Sequence, residues 1–432
     1  MARPKKVSTA GVAAHKKIHS IPGVFDIVPD ASPMWEVALK RFANFGRSYG
    51  FSAVHVPIVE DPKLYELGSQ SVIPDLSHHP IAFDFGGKAM AVRASMLPGV
   101  LRAYAAVHIV ETQPLVKWAF SGQTVRADAR DRPIADFEYG YEVLGTFNHL
   151  TEAQVLGAIW EMLMSLGLHE VTFEINNTGT YDAQQNYSQV LADFLKSKKY
   201  GLCDDCVGHL GNRILNVLRC NELDCQALLA EAPTILDFLD ADSRKHFTSV
   251  LEALEELQIP YQLNPLYSGH EYTSSTSCVV KYKTKTTTHV LGEAAYHTML
   301  AQTITGKSHQ AFGFVGSMKH LVLAMESIGV EVQAAQKNEV YLVPLGELAA
   351  KRSLRLFRDL ISAKISVYDH FGNIGVKSQL KAAQDSKSPI ALIMGQKEAI
   401  DEMVILRDVK SGMQEMFHYD KILDEVKKRL GK

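Results

Sequence analysis

The chain has 432 residues, 46% hydrophobic and 22% charged, with a formal net charge of −3. That length provides for two or three domains with full-sized cores, and it contains no run of about 18 apolar residues that would make a membrane span expected. Five cysteines in so long a chain fit a reducing compartment better than a disulfide scaffold. The start, MARPKKVSTAGVAAHKKIHS, lacks the apolar stretch of a secretory signal, so a cytoplasmic location is expected. Charge is unevenly spread. Residues 337–432 carry 17 Lys and Arg against 13 Asp and Glu, and the first 17 residues hold Arg3, Lys5, Lys6, Lys16 and Lys17 with no acid. A basic arm over residues 1–20 and a basic tail can track phosphates, although such excesses also occur in proteins that touch no nucleic acid.

After the arm, the spacing predicts a helix over 33–49 whose apolar stripe is Trp35, Leu39, Phe42 and Phe45. A strand, SAVHVPIVED, follows with Val54, Val56 and Ile58 alternating. The stretch 122–145, GQTVRADARDRPIADFEYGYEVLG, reads as two strands joined by a charged loop. On its second strand Phe137, Tyr139, Tyr141 and Val143 share one face, and Glu138, Gly140 and Glu142 share the other. Gly140 has no side chain, so the two carboxylates are expected to flank an open gap. Arg126 ends the first strand, and Arg130 and Arg132 sit in the loop. Carboxylates beside a gap can hold an ammonium group, and an arginine can grip a phosphate or carboxylate through paired donors. The alternative is a solvated hairpin with ordinary surface charges.

A helix is expected over 151–167 with Thr151 as N-cap and Gly167 as stop. The strand EVTFEIN comes next, and then a helical insert over about 181–258. The insert holds Cys203 and Cys206, with Cys220 and Cys225 further on. Four thiolates at that spacing can close a tetrahedral zinc site; buried free thiols are the other reading. Beyond a hinge near 329–338, strands (NEVYLVPLG, KISVY, PIALIM, VILRDVKSGMQ) alternate with helices, which argues for an α/β layer.

The segment 122–145 resembles motif 2 of class II aminoacyl-tRNA synthetases, in the form found in histidyl-tRNA synthetases. The resemblance places Arg126 at the α-phosphate of ATP, and makes Arg132, Glu138 and Glu142 substrate-binding. The loop is about two residues shorter than usual, and Glu138 replaces a glutamine. The helix-to-strand passage with Pro57 is similar to motif 1, the dimer-forming element. Where relatives read Leu-Arg-Pro-Glu-Gly-Thr, with Glu and Thr holding the amino acid, this chain has Ser95 and Leu97. The histidine-specific segment keeps Tyr272, but Ser268 stands in the place of its arginine. The later Gly-Gly-Arg-Tyr-Asp turn corresponds to Glu293, Ala294, Ala295, Tyr296 and His297, which makes Tyr296 a further substrate-binding candidate. Motif 3 keeps Gly313 and Phe314 but ends in His320 instead of arginine. Imidazole is shorter and lacks the guanidinium fork.

The tail resembles the anticodon-binding domain of these synthetases. There the resemblance implies tRNA-facing roles for Lys377, Gln379 and Lys381 in one segment, and for Arg407 and Lys410 in the terminal hairpin. The implied architecture is an α+β class II antiparallel-sheet domain over 21–328 with a helical insert, followed by an α/β anticodon-binding-like domain over 339–432. Three readings of function follow. The first is a catalytically degenerate dimer, or a heterodimer with a synthetase, that binds tRNA. The second is a working ligase using ATP and Mg²⁺ in which Glu138, His297 and His320 take new roles. The third is a regulatory subunit resembling the synthetase-like partner of ATP phosphoribosyltransferase in histidine biosynthesis, although those proteins usually lack the tail domain.

Overall fold

The computed structural model describes residues 19–66, 79–107, 113–128, 130–211, 214–220, 222–269, 274–284, 287–330, 339–369, 371, 376–386 and 388–432. Tyr272 and the basic arm as far as residue 18 lie outside the described residues. Two compact units are present, Met1–Glu331 and Val332–Lys432.

The first unit opens with α1 (Ser32–Ser48), which has a proline in its first turn and buries Trp35, Ala38, Phe42 and Gly46. Leu39 and Phe45, expected in the apolar stripe, are only partly buried. Gly46 takes a central place because Tyr141 packs onto it, with a ring carbon 2.8 Å from where a Cβ would stand. The expected strand after α1 is broken into β1 (Ser52–Ala53) and β2 (Val59–Glu60). Pro57 cannot donate to a ladder, and the Val56 and Pro57 carbonyls instead accept from Arg93 Nη1, at 2.8 and 3.3 Å. Then come α2 (Lys63–Glu66), β3 (His79–Pro80), β4 (Ala82–Phe85), β5 (Lys88–Val92) and α3 (Met96–Ala106).

The long hairpin of β6 (Leu115–Ala127) and β7 (Pro133–Gly145) leads into α4 (His149–Ser165) and β8 (Val171–Asn177). Asn148, not Thr151, caps α4: its side chain accepts from the Leu150 amide at 3.1 Å. The helix thus begins a turn earlier than expected. The insert contains α5 (Tyr181–Ser197), α6 (Asp204–His209), α7 (Leu223–Leu229) and α8 (Ala241–Glu256) around short 3₁₀ turns. The unit closes with β9 (Tyr261–Leu263), β10 (Ser274–Lys283), β11 (Thr288–Tyr296), α9 (Thr298–Thr305), β12 (Gln310–Ser317) and α10 (Met318–Ser327).

Among the described residues one nine-stranded sheet runs β1-β6-β7-β12-β11-β10-β8-β9, with β3 added on β6. Its central pairs from β6 to β8 are antiparallel, and only β1–β6 and β8–β9 are parallel. Tyr139, Tyr141, Val143, Phe312 and Phe314 point to the side covered by α1, α4 and α10, where the main core lies. This is the aromatic face read from the alternation of β7. The opposite side carries Phe120, Leu144 and Val315 beneath Met96, Leu97 and Leu101 of α3.

The second unit comprises β13 (Val340–Pro344), α11 (Glu347–Ser362), β14 (Val367–Asp369), α12 (Val376–Asp385), β15 (Ile390–Met394), α13 (Gln396–Ile400), β16 (Met403–Asp408), β17 (Gln414–His418) and α14 (Tyr419–Leu430). Its sheet runs β14-β13-β15-β16-β17, parallel on both sides of β13 and antiparallel beyond β15. Val340, Leu342, Leu356, Leu392, Leu406 and Val426 form its core. No helix among the described residues is long and apolar enough to cross a membrane.

Candidate functional site

The β6–β7 hairpin positions the candidate site. Its register pairs Gly122 with Glu138, Phe120 with Gly140 and Trp118 with Glu142, and Gly313 of β12 faces Glu142 on the other flank. The open gap expected at Gly140 is absent. A Cβ there would stand 2.4 Å from Phe120 Cζ and 2.3 Å from the Phe314 carbonyl oxygen. The small residue therefore admits the ring of its cross-strand neighbour, and Phe120 and Val315 are buried over it.

Glu138 is 1% exposed. Its Oε2 accepts from Ser95 Oγ at 3.0 Å and from the Met96 amide at 2.7 Å. The second bond satisfies the first amide of α3, where the helix dipole also favours negative charge. Its Oε1 stands 3.4 Å from Arg126 Nη1, while Arg126 Nη2 is 3.8 Å from Asp136 Oδ2. Burial pushes the Glu138 carboxyl up, and Arg126 opposes that shift. The arginine read as a phosphate ligand is thus buried between two carboxylates of its own strand pair.

Glu142 is fully buried, with His297 Nδ1 3.1 Å from each of its oxygens. Burial raises its pKa and His297 opposes this. The carboxylate rests on the backbone of Gly313, where a Cβ would come within 1.9 Å of Oε2. Asp136 also accepts from Ser317 Oγ at 2.8 Å, and Ser317 in turn caps the His320 amide. His320 Nδ1 lies 2.9 Å from the Val290 carbonyl, so the ring is tied to β11. Glu293 faces the Tyr267 hydroxyl, whose pKa rises through burial and through Glu293.

Two groups important here escaped the sequence reading. Arg93 sits against Gly122 and spends its guanidinium on the carbonyls of Val56, Pro57 and Gln123. Asp136 is the second partner of Arg126; an acid on the Glu138 side of β7, two residues before it, was the available signal.

The remaining candidates of the first unit scatter. Arg132 is solvent-exposed in the loop, its guanidinium gripping Asp128 at 2.6 and 2.8 Å. That hydrogen bond pulls Asp128 down to about 2. Tyr296 does not line the carboxylate face. It points to the core side, donates to Glu152 Oε1 at 2.5 Å and stacks on Phe147. The alternation of β11, in register with Phe312, puts it there.

In the second unit Lys377 and Lys381 are exposed one turn apart on α12, and Lys410 is exposed at the turn between β16 and β17. Arg407 is half-buried on β16. Gln379 is not available to a nucleic acid: it is 3% exposed and donates to the Pro344 carbonyl at 3.0 Å. It faces inward because it lies two residues from either lysine on the helix. In the insert the sulfurs of Cys203, Cys206, Cys220 and Cys225 all lie within 4.8 Å of one another.

A largely antiparallel sheet that carries the hairpin, followed by a five-stranded α/β unit, defines a class II synthetase fold joined to an anticodon-binding domain. The family model described as histidyl-tRNA synthetase matches residues 23–321, and the anticodon binding domain model matches residues 339–429. The chain belongs to the histidyl-tRNA synthetase family. It is 26% identical over 415 residues to a histidine–tRNA ligase of Dehalococcoides mccartyi, covering 94% of this chain and 99% of that one. It is likewise 26% identical over 413 residues to that of Halothermothrix orenii, covering 94% and 98%. Among solved structures, the apo histidyl-tRNA synthetase of S. aureus superposes with a TM-score of 0.77 at 22% identity, over 95% of this chain and all of that one. A protein from Bacillus halodurans described as an ATP phosphoribosyltransferase regulatory subunit/histidyl-tRNA synthetase superposes with a TM-score of 0.64 at 17% identity, over 88% and 99%.

Proposed function

We propose that this chain is a histidyl-tRNA synthetase-like protein deficient in histidine activation, which acts by binding tRNA, as a homodimer or with a partner synthetase. The observation that carries this reading is the state of Arg126, held by Glu138 and Asp136 with Phe120 filling the gap beside it. Adenylation builds charge on the α-phosphate, and preorganised cationic donors supply much of the acceleration. Here buried acids Asp136, Glu138, Glu142 and Glu293 line that side of the sheet, while Arg93 is committed to backbone carbonyls. Loss of one preorganised donor typically lowers a rate by about 10²–10³, and the motif 3 position holds His320. The basic positions Lys377, Lys381, Arg407 and Lys410 support the tRNA-facing part.

Histidine-dependent ATP–pyrophosphate exchange by the purified protein tests the reading. Exchange at the level of the buffer blank is expected; robust exchange overturns it.

A second reading, an active histidine–tRNA ligase using ATP and Mg²⁺, is favoured by one feature. Glu138 stands 3.0 Å from Ser95, so a carboxylate persists at the corner where the resemblance puts a Glu on the Ser95 side. That carboxylate already holds Arg126 and the α3 amide, which leaves it little capacity for an ammonium group. A third reading, a regulatory subunit of histidine biosynthesis, draws on the description of the Bacillus halodurans protein; failure to co-purify with the transferase would dispose of it.

A further inference from the structure

The four insert cysteines come from separate short elements. Cys203 is the N-cap residue of α6 and Cys206 lies in its first turn; Cys220 follows the 3₁₀ turn Ile214–Arg219; Cys225 lies in the first turn of α7. Cys206 and Cys225 are buried, and Cys203 and Cys220 are half-buried. A four-thiolate zinc site with bonds of about 2.3 Å has tetrahedral edges of about 3.8 Å. Cys203 Sγ and Cys220 Sγ are 3.8 Å apart, and every other pair lies within 4.8 Å. These separations are far from the ~2.05 Å of a disulfide.

Two sulfurs also receive backbone donors, Cys225 Sγ from the Cys203 amide at 3.2 Å and Cys220 Sγ from the Glu222 amide at 3.4 Å. Amides directed at ligand sulfurs are outer partners of the kind that hold metal ligands in place. Tyr187, Leu191, Val217, Leu218 and Leu229 pack in one buried apolar cluster with Cys206 and Cys225, and Cys203 and Cys220 lie partly buried against it.

The geometry points to a structural zinc ion held by Cys203, Cys206, Cys220 and Cys225. Thiolate donors in a small tetrahedral cluster select zinc over hard cations such as magnesium. With all four corners taken by protein, the ion has no open position for catalysis. Its work is to tie α6, α7 and the intervening 3₁₀ turn into one body. Each thiol that ligates releases its proton to solvent, so loading is favoured as pH rises. The site also fixes Arg219, next to Cys220, whose guanidinium bonds the Gly269 carbonyl on the segment leading into β10.

The test is metal analysis of the full-length protein purified without chelator, together with cobalt substitution. One zinc per chain is expected, and cobalt exchange should give the intense visible bands of tetrahedral thiolate coordination. The Cys203→Ser/Cys220→Ser variant should lose the metal, whereas Cys278→Ala, on β10 and outside the cluster, should keep it. A folded wild-type protein with no zinc and four freely titrating insert thiols overturns the inference, as does full metal retention by the double variant. Because the wild-type measurements need no variant to fold, the result stands even if the double variant aggregates.

Discussion

Glu138 and Arg126 make one buried unit, and the cost of breaking it follows from their burial. Glu138→Ala leaves the guanidinium with only the more distant Asp136 and frees the α3 amide. Removing one member of such a pair typically costs about 3–5 kcal/mol, which a shift of the urea midpoint at unchanged slope would measure. A loss below about 1 kcal/mol would mean that the ion pair is not formed in solution. A second residue-scale test concerns His246. Its Nε2 is 2.7 Å from Glu152 Oε1, with Tyr296 and His149 also against the ring. The Glu152 hydrogen bond raises its pKa above the ordinary 6.5. A raised histidine pKa stabilises the fold below the unfolded value, and that contribution is lost as pH rises through the folded value. His246→Gln should therefore cost more stability at pH ~6 than at pH ~9, read from urea midpoints at the two pH values; an equal loss at both would contradict the charged pair.

At the scale of elements, the β6–β7 hairpin and the strand β12 beside it are fitted by glycines that accept neighbours. Phe120→Ala removes the ring over Gly140 and should cost about 3–5 kcal/mol through the cavity left behind. The same variant should not gain measurable ATP binding, because Arg126 stays paired; the urea midpoint reads the first effect and calorimetric titration with ATP the second. Gly313→Ala would put a Cβ 1.9 Å from Glu142 Oε2, so it should either disrupt folding or displace the carboxylate from His297.

Much of this was legible in the sequence because alternation along β7 fixes which side chains share a face. The aromatic side and the carboxylate side are both where the pattern puts them. What glycine means at position 140 was not legible: the alternation shows an absent side chain, but only cross-strand register reveals that Phe120 fills the space. Register likewise turns Tyr296 toward Glu152. The early strand failed as an expectation because Val54, Val56 and Ile58 alternate correctly while Pro57 withdraws an amide from the ladder. Thr151 failed as the expected cap because the Asn148 side chain, three residues earlier, accepts from the Leu150 amide and starts the helix there.

Across the whole molecule, a carboxylate-rich, self-occupied synthetase unit is followed in the chain by a unit with exposed lysines on α12 and at the β16–β17 turn. If that second unit binds RNA, reversing charge at Lys377, Lys381 and Lys410 in the full chain should weaken tRNA binding. It should also flatten the salt dependence, by roughly one unit of slope for each phosphate that is no longer neutralised. Filter binding across a salt series gives both numbers. Gln379→Ala should act instead through stability, since the Pro344 carbonyl would be deprived of a buried donor at a cost of about 1–3 kcal/mol.

The most direct measurement is calorimetric titration of the purified full chain with a non-hydrolysable histidyl-adenylate analogue. If Arg126 is engaged by Glu138 and Asp136 and Phe120 fills the gap, no saturable binding should be detected at micromolar analogue. Tight, stoichiometric binding with heat that vanishes in Arg126→Ala would contradict the account and restore the cleft to catalysis.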